Sequence, residues 1–124
     1  MKFNATRKSG FTLVEIMIVV GIIGMLAAIA MPRFVRARQT SQRNTCINNL
    51  RQIDDAVQRW ALENNKYPSA TPVFDDIVVY LKNKIVCPAG GTSFLDSYTL
   101  RSVAEKPLCQ RDPEAHVLPT DTSQ

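Results

Sequence analysis

The chain has 124 residues, 45% of them hydrophobic, with 15 lysines and arginines against 11 acidic residues. About half of it reads as one N-terminal helix, which leaves room for a single small globular domain and excludes a large enzyme core. Three of the basic residues, Lys2, Arg7 and Lys8, precede the first apolar stretch. Without them twelve basic side chains face eleven acidic ones, so the basic balance is no argument for a nucleic-acid partner.

From Phe11 to Met31 the only ionisable side chain is Glu15. This window has about the length, roughly 20 residues, that an α-helix needs to cross a bilayer. A carboxylate inside such a run costs on the order of 2.5–3.5 kcal/mol at mid-membrane, so Glu15 requires a partner. An ordinary secretory signal carries its small-residue cleavage site after the apolar stretch, as Ala27-Ala28-Ile29-Ala30 would mimic. Here Gly10 precedes the run instead, and a cut there would leave the apolar segment on the mature protein as an anchor. The arginines Arg33, Arg36 and Arg38 follow the run as closely as Arg7 and Lys8 precede it, so charge asymmetry alone does not set the orientation.

The stretch Arg7-Lys8-Ser9-Gly10 followed by Phe11-Thr12-Leu13-Val14-Glu15 resembles the prepilin signature of type IV pilins and type II secretion pseudopilins. The resemblance is strong from Arg7 to about Pro32 and looser along the helix to Asn64. It implies a leader at residues 1–10 that a prepilin peptidase removes between Gly10 and Phe11, and methylation of the new Phe11 amine. It implies that Glu15 pairs with a neighbouring subunit's N-terminus, and that the helix loosens between Gly24 and Pro32 in an assembled filament. The implied fold is α+β and pilin-like: a transmembrane and filament-core helix over residues 11–32, continued by an amphipathic spine over 33–64 and packed on a small domain. The implied partners are further copies of the chain in a helical filament, the prepilin peptidase, an inner-membrane assembly platform and membrane lipids. The implied location is the bacterial inner membrane, crossed once, with the C-terminal domain outside the cytoplasm, and then the pilus or pseudopilus.

Beyond Arg33 the residues speak for themselves. Ile47, Leu50, Ile53, Val57, Trp60 and Ala61 recur at helical period and make one apolar stripe, the face that packs against the rest of the domain. Asn64-Asn65 and then Tyr67-Pro68 stop the helix. The series Arg33, Arg36, Arg38 and Arg43 raises the alternative of a DNA-uptake pilin, but three or four charges with one nearby aromatic, Phe34, bind nucleic acid weakly, and none is expected as a partner. A membrane-tethered binding module that does not polymerise is the other alternative.

Residues 65–110 form the small domain. Thr71-Pro72 reads as a helix start, with Asp75-Asp76 at the positive end of the dipole and Phe74, Ile77, Val78 and Leu81 as an apolar face. Thr92–Leu95 and Tyr98–Arg101 around Asp96-Ser97 read as a β-hairpin, with Leu108–Gln110 as a third strand. Cys87 and Cys109 enclose a loop for which a disulfide contributes about 3 kcal/mol, and the sequence predicts that they pair outside the cytoplasm. A zinc site from Cys87, Cys109, His116 and an acid such as Asp112 or Glu114 competes with this pairing, but the close Cys-x2–4-Cys pair usual for structural zinc is absent. Cys46 is expected to be a free buried cysteine. Asp96, Asp112 and Asp121 are too scattered for the calcium loop that major pseudopilins often carry. Residues 111–124 read as a polar tail, frayed past about Pro113. A lone His116 without a nucleophile elbow, and no phosphate loop, leave no catalytic residues; no metal or cofactor is expected.

Overall fold

The computed structural model describes residues 9–119. Its elements in chain order are α1 (Leu13–Glu63), α2 (Phe74–Ile77) followed by a 3-10 turn (Val78–Tyr80), α3 (Phe94–Ser97), β1 (Tyr98–Thr99) and β2 (Leu108–Cys109). The leader residues before Ser9 and the last five residues, Asp121 among them, lie outside the described part. The chain divides into two compact units, one ending at Ala37 and one beginning at Arg38.

In the first unit the helix is apolar on all sides, and Phe11, Leu13, Met17, Ile23, Met25 and Met31 are all exposed. Pro32 lies inside the helix without ending it. The helix is long and apolar enough to cross a membrane, and none of its most apolar window is buried.

In the second unit the same helix supplies one wall of the core. Leu50, Ile53, Ala56, Val57, Trp60 and Ala61 are buried on it, and Ile47 is half-buried. The predicted stripe is thus the packed face. Ile77, Ile85, Phe94, Tyr98 and Leu118 complete the core from the other side. The helix stops where the asparagines predict. Asn65 takes a left-handed φ of 51°, and the Lys66 amide donates to the Ala61 carbonyl at 2.9 Å, which closes the helix end as a Schellman cap. The Tyr80 hydroxyl, which ends the 3-10 turn, donates to the Glu63 carboxylate at the end of α1.

Two predicted elements differ in kind. The helix expected to start with Thr71 as its cap and Pro72 as its first residue starts two residues later, with Val73 as the cap, whose amide is satisfied by the Asp76 carboxylate at 3.0 Å; Asp76 is a capping group. The segment expected to be the first strand of a hairpin, Thr92–Leu95, is instead the start of α3. Ser93 Oγ accepts from the Asp96 amide at 3.4 Å and Asp96 Oδ1 accepts from the Ser93 amide at 3.1 Å. This reciprocal capping box makes a turn of helix where the apolar pattern suggested a strand. Tyr98–Thr99 therefore has no partner before it, and pairs antiparallel with Leu108–Cys109, Tyr98 opposite Cys109.

The turn Cys87-Pro88-Ala89-Gly90-Gly91 holds two glycines for different reasons. Gly90 has φ +104°, a left-handed conformation costly for other residues. A Cβ on Gly91 would lie 2.1 Å from Ser97 Oγ and 2.8 Å from the Cys87 backbone. Within the residues expected to be a frayed tail, His116 and Leu118 are buried, and the His116 amide donates to the Asp112 carbonyl. What a composition argument reads as a polar end is a segment with two inward side chains at alternate positions.

The Asp96 carboxylate also accepts from the Thr92 hydroxyl and amide, and lies 3.1 Å from Arg111 Nη2. The Thr92 hydroxyl first, and the Ser93 amide next, hold its pKa well below the usual carboxylate value. A group depressed on folding stabilises above its unfolded pKa, and that stability is lost as pH falls below about 3.9. The Asp96→Asn variant should be less stable than the parent at neutral pH, and the gap between their melting temperatures should close as pH is lowered from 5 to about 2; a constant gap would show that the charge is not what Asp96 contributes.

Candidate functional site

Two places in the chain concentrate polar chemistry in apolar surroundings: the first turn of α1 and the interior of the second unit. At the helix start, Thr12 is followed three residues later by Glu15. The Thr12 amide donates to Glu15 Oε2 at 2.8 Å, and the Glu15 amide donates to Thr12 Oγ1 at 3.3 Å. This is a capping box, and it meets two of the amide donors that a helix start leaves without partners. The Thr-x-x-Glu spacing is the signal of this box in the sequence. Gly10 and Phe11 precede the helix and are exposed, with nothing within 4 Å of where a Gly10 Cβ would be. Gly24 is likewise open, and both it and Pro32 lie within the unbroken helix.

In the second unit Cys46, Cys87, Cys109 and His116 converge. All four are buried, and their sulfur and imidazole nitrogen atoms lie within 4.8 Å of one another. Cys87 Sγ is 3.7 Å from Cys46 Sγ and 3.6 Å from Cys109 Sγ. His116 Nδ1 is 3.8 Å from Cys87 Sγ and 3.7 Å from Cys109 Sγ. The three cysteines are free thiols. The expected Cys87–Cys109 disulfide is not shown: the two sulfurs stand 3.6 Å apart, against about 2.05 Å in a bonded pair, and Cys46 and His116 crowd the same point. Cys46 is buried and free as expected, but it belongs to the cluster. Its position four residues before Leu50, on the apolar stripe, was the signal that it faces inward. Asp112 and Glu114 are not members. Asp112 instead accepts from the Ala115 amide through Oδ1 at 3.1 Å, and Glu114 is exposed.

One face of α1 holds the other three segments in place. Asn49 Nδ2 donates to the Val86 carbonyl at 3.1 Å and to the Tyr98 hydroxyl at 3.0 Å. Gln42 Nε2 donates to the Pro88 carbonyl at 3.1 Å and Arg43 Nε to the Ala115 carbonyl at 2.9 Å. Residues on both sides of Cys87 and the residue before His116 are thus fixed from the helix that carries Cys46. Arg43, one of the arginines weighed for DNA, is committed to this contact. Burial pushes the Cys46 and Cys87 thiols above their ordinary pKa, and does the same to the Tyr98 hydroxyl. These are inert neutral thiols unless a cation joins them.

The chain matches a family model described as the prokaryotic N-terminal methylation motif, over residues 5–31. It is 27% identical to the type II secretion system core protein G of Aeromonas hydrophila, over 82% of this chain and 68% of that one. It is 35% identical to the protein of the same name from Pectobacterium carotovorum, over 51% of this chain and 40% of that one. It is 42% identical to the type IV major pilin protein PilA of Myxococcus xanthus, over 53% of this chain and 30% of that one. The chain thus spans less than half the length of the last two. No solved structure gives a significant match. A long N-terminal helix headed by this motif, carrying a small α+β domain, is the layout of a pilin-like protein. In its N-terminal motif and along these matched stretches, the chain is similar to type IV pilins and type II secretion pseudopilins.

Asn49 is the residue whose loss isolates the polar frame from the core. Asn49→Leu removes the Tyr98 hydroxyl's partner and should lower unfolding stability by about 1–3 kcal/mol, the cost of a buried unpaired polar group. Pairing it with Tyr98→Phe should recover part of that loss in a double-mutant cycle followed by chemical denaturation; strictly additive losses would show that the bond is not coupled.

Proposed function

We propose that the chain is a structural subunit of a type IV pilus-like or type II secretion pseudopilus filament, and that it is not an enzyme. The observation that carries this reading is the first unit of α1: a membrane-length helix with no apolar side chain buried, headed by the methylation motif. Such a surface needs lipid before assembly and other copies of the same helix after it. In this reading the prepilin peptidase cuts between Gly10 and Phe11, the Phe11 amine is methylated, and the anchored chain stands in the inner membrane with residues from about Arg38 onward outside the cytoplasm. An assembly platform then moves it into the filament, where Gly24 and Pro32 let the helix loosen. The longer match to a secretion core protein G than to a pilin favours the pseudopilus.

The Thr12–Glu15 box sharpens the part assigned to Glu15. A carboxylate that accepts the amide of its own helix retains lone pairs for a second donor. Glu15 is thereby fixed at the helix start and can receive the positive Phe11 amine of the next subunit. In a bundle without water this attraction carries more weight than it does in solution, and it sets register as well as affinity.

Glu15→Ala should leave the protein inserted and processed but absent from sheared or pelleted fibres; normal filaments from that variant would sink the role given to Glu15. Gly10 replaced by a bulky residue such as leucine should accumulate uncut precursor, read as the intact mass of membrane-extracted protein with residues 1–10 still attached.

A further inference from the structure

We propose that Cys46, Cys87, Cys109 and His116 form a structural zinc site that ties the C-terminal domain to α1. A zinc ion held tetrahedrally has ligand bonds of about 2.3 Å to sulfur and about 2.0–2.1 Å to nitrogen. A tetrahedron with those bonds has sulfur–sulfur edges of about 3.8 Å and sulfur–nitrogen edges of about 3.6 Å. The observed edges are 3.7 and 3.6 Å between sulfurs, and 3.8 and 3.7 Å from His116 Nδ1 to sulfur. Four of the six edges thus match those a single ion requires, and the other two, from Cys46 to Cys109 and to His116, lie within 4.8 Å.

The donor set chooses the metal. Three thiolates and one imidazole in tetrahedral array suit zinc, whereas the oxygen ligands that calcium or magnesium require are absent from the cluster. An iron–sulfur cluster would force the four ligand atoms well beyond the 4.8 Å that contains them. All four corners are protein atoms and all four residues are buried, so no position is left for water or substrate; the site is structural. Binding transfers the three thiol protons to solvent and leaves the imidazole neutral.

The placement of the ligands gives the reason for such a site. They come from α1, the glycine turn, β2 and the segment after it, four pieces that no common sheet or helix joins; α1 meets the glycine turn and the last segment through single side-chain hydrogen bonds to backbone carbonyls. A domain this small often lacks the apolar area to fix its own loops, and a metal is one of the means by which such domains are held. A Cys87–Cys109 disulfide would join two of the four pieces and leave Cys46 and His116 facing spent sulfurs. One ion uses all of them and shields three neighbouring thiols from oxidation. The site does not depend on whether the chain polymerises.

The test is metal content and metal spectroscopy on the full chain, purified in detergent without a polyhistidine tag. One zinc per chain is expected, and a chain stripped and reloaded with Co(II) should show thiolate-to-cobalt charge transfer and the strong visible bands of a tetrahedral ion. Cys46→Ala and His116→Ala should lose stoichiometric metal. Because such variants can fail to fold, His116→Cys provides the second arm: it should still bind one equivalent, with the Co(II) spectrum moved toward that of four thiolates. The proposal is overturned if the parent chain takes up neither Zn(II) nor Co(II), if its intact mass shows a Cys87–Cys109 disulfide in the metal-free chain as isolated from membranes, or if Cys46→Ala binds as the parent does.

Discussion

Among the described residues, nothing after Glu63 is long enough to fold on its own. The helices there have four residues each and the strands two, so beyond contacts such as Phe74 on Phe94 they depend on α1 for a surface to pack against. The domain is therefore built as attachments to one helix face. Leu50, Ile53, Val57 and Trp60 supply the apolar surface, while Gln42, Arg43 and Asn49 hold backbone carbonyls that lack partners within a sheet or helix. The same face carries Cys46. A substitution that tilts this face would disturb packing, hydrogen bonding and the cysteine cluster together, because the three are interleaved along fewer than six turns.

The first unit imposes the opposite constraint. A helix apolar all round has no inside, so its sequence is selected by what surrounds it rather than by its own chain. That is why Glu15 stands out, and why the capping box matters. A charge in that environment is tolerable when it replaces a lost hydrogen bond, and the amides at a helix start are the nearest unmet donors. The role proposed for Glu15 would add a second use to a group that its own helix start already anchors.

Much of this was legible in the sequence, and the remainder failed for particular reasons. The membrane-length run, the stripe from Ile47 to Ala61 and the stop at Asn64-Asn65 follow from periodicity and local backbone preference, which act over a few residues. Phe94 and Leu95 look like a strand, but Ser93 and Asp96 on either side of them form a capping box that makes a turn of helix, and its spacing is a local signal too. The cysteine cluster is different. Residues 46, 87, 109 and 116 are brought together only by tertiary packing, and the habit of looking for closely spaced cysteine pairs hides a site whose ligands come one from each segment. His116 lies in a proline-punctuated segment that reads as a polar tail, although it and Leu118 alternate inward.

The choice between a disulfide and an ion at this cluster is at bottom a question of count and geometry. A disulfide satisfies two sulfurs and requires them to close from 3.6 Å to about 2.05 Å, leaving the third thiol and the imidazole beside it without a bond. An ion requires no such closure. It accepts the sulfurs where Asn49, Gln42 and the Tyr98–Cys109 pairing have set them, and it also accounts for the burial of an imidazole with its Nδ1 toward two of them. The frame that α1 builds around the four residues is thus better suited to holding a centre than to making a bond.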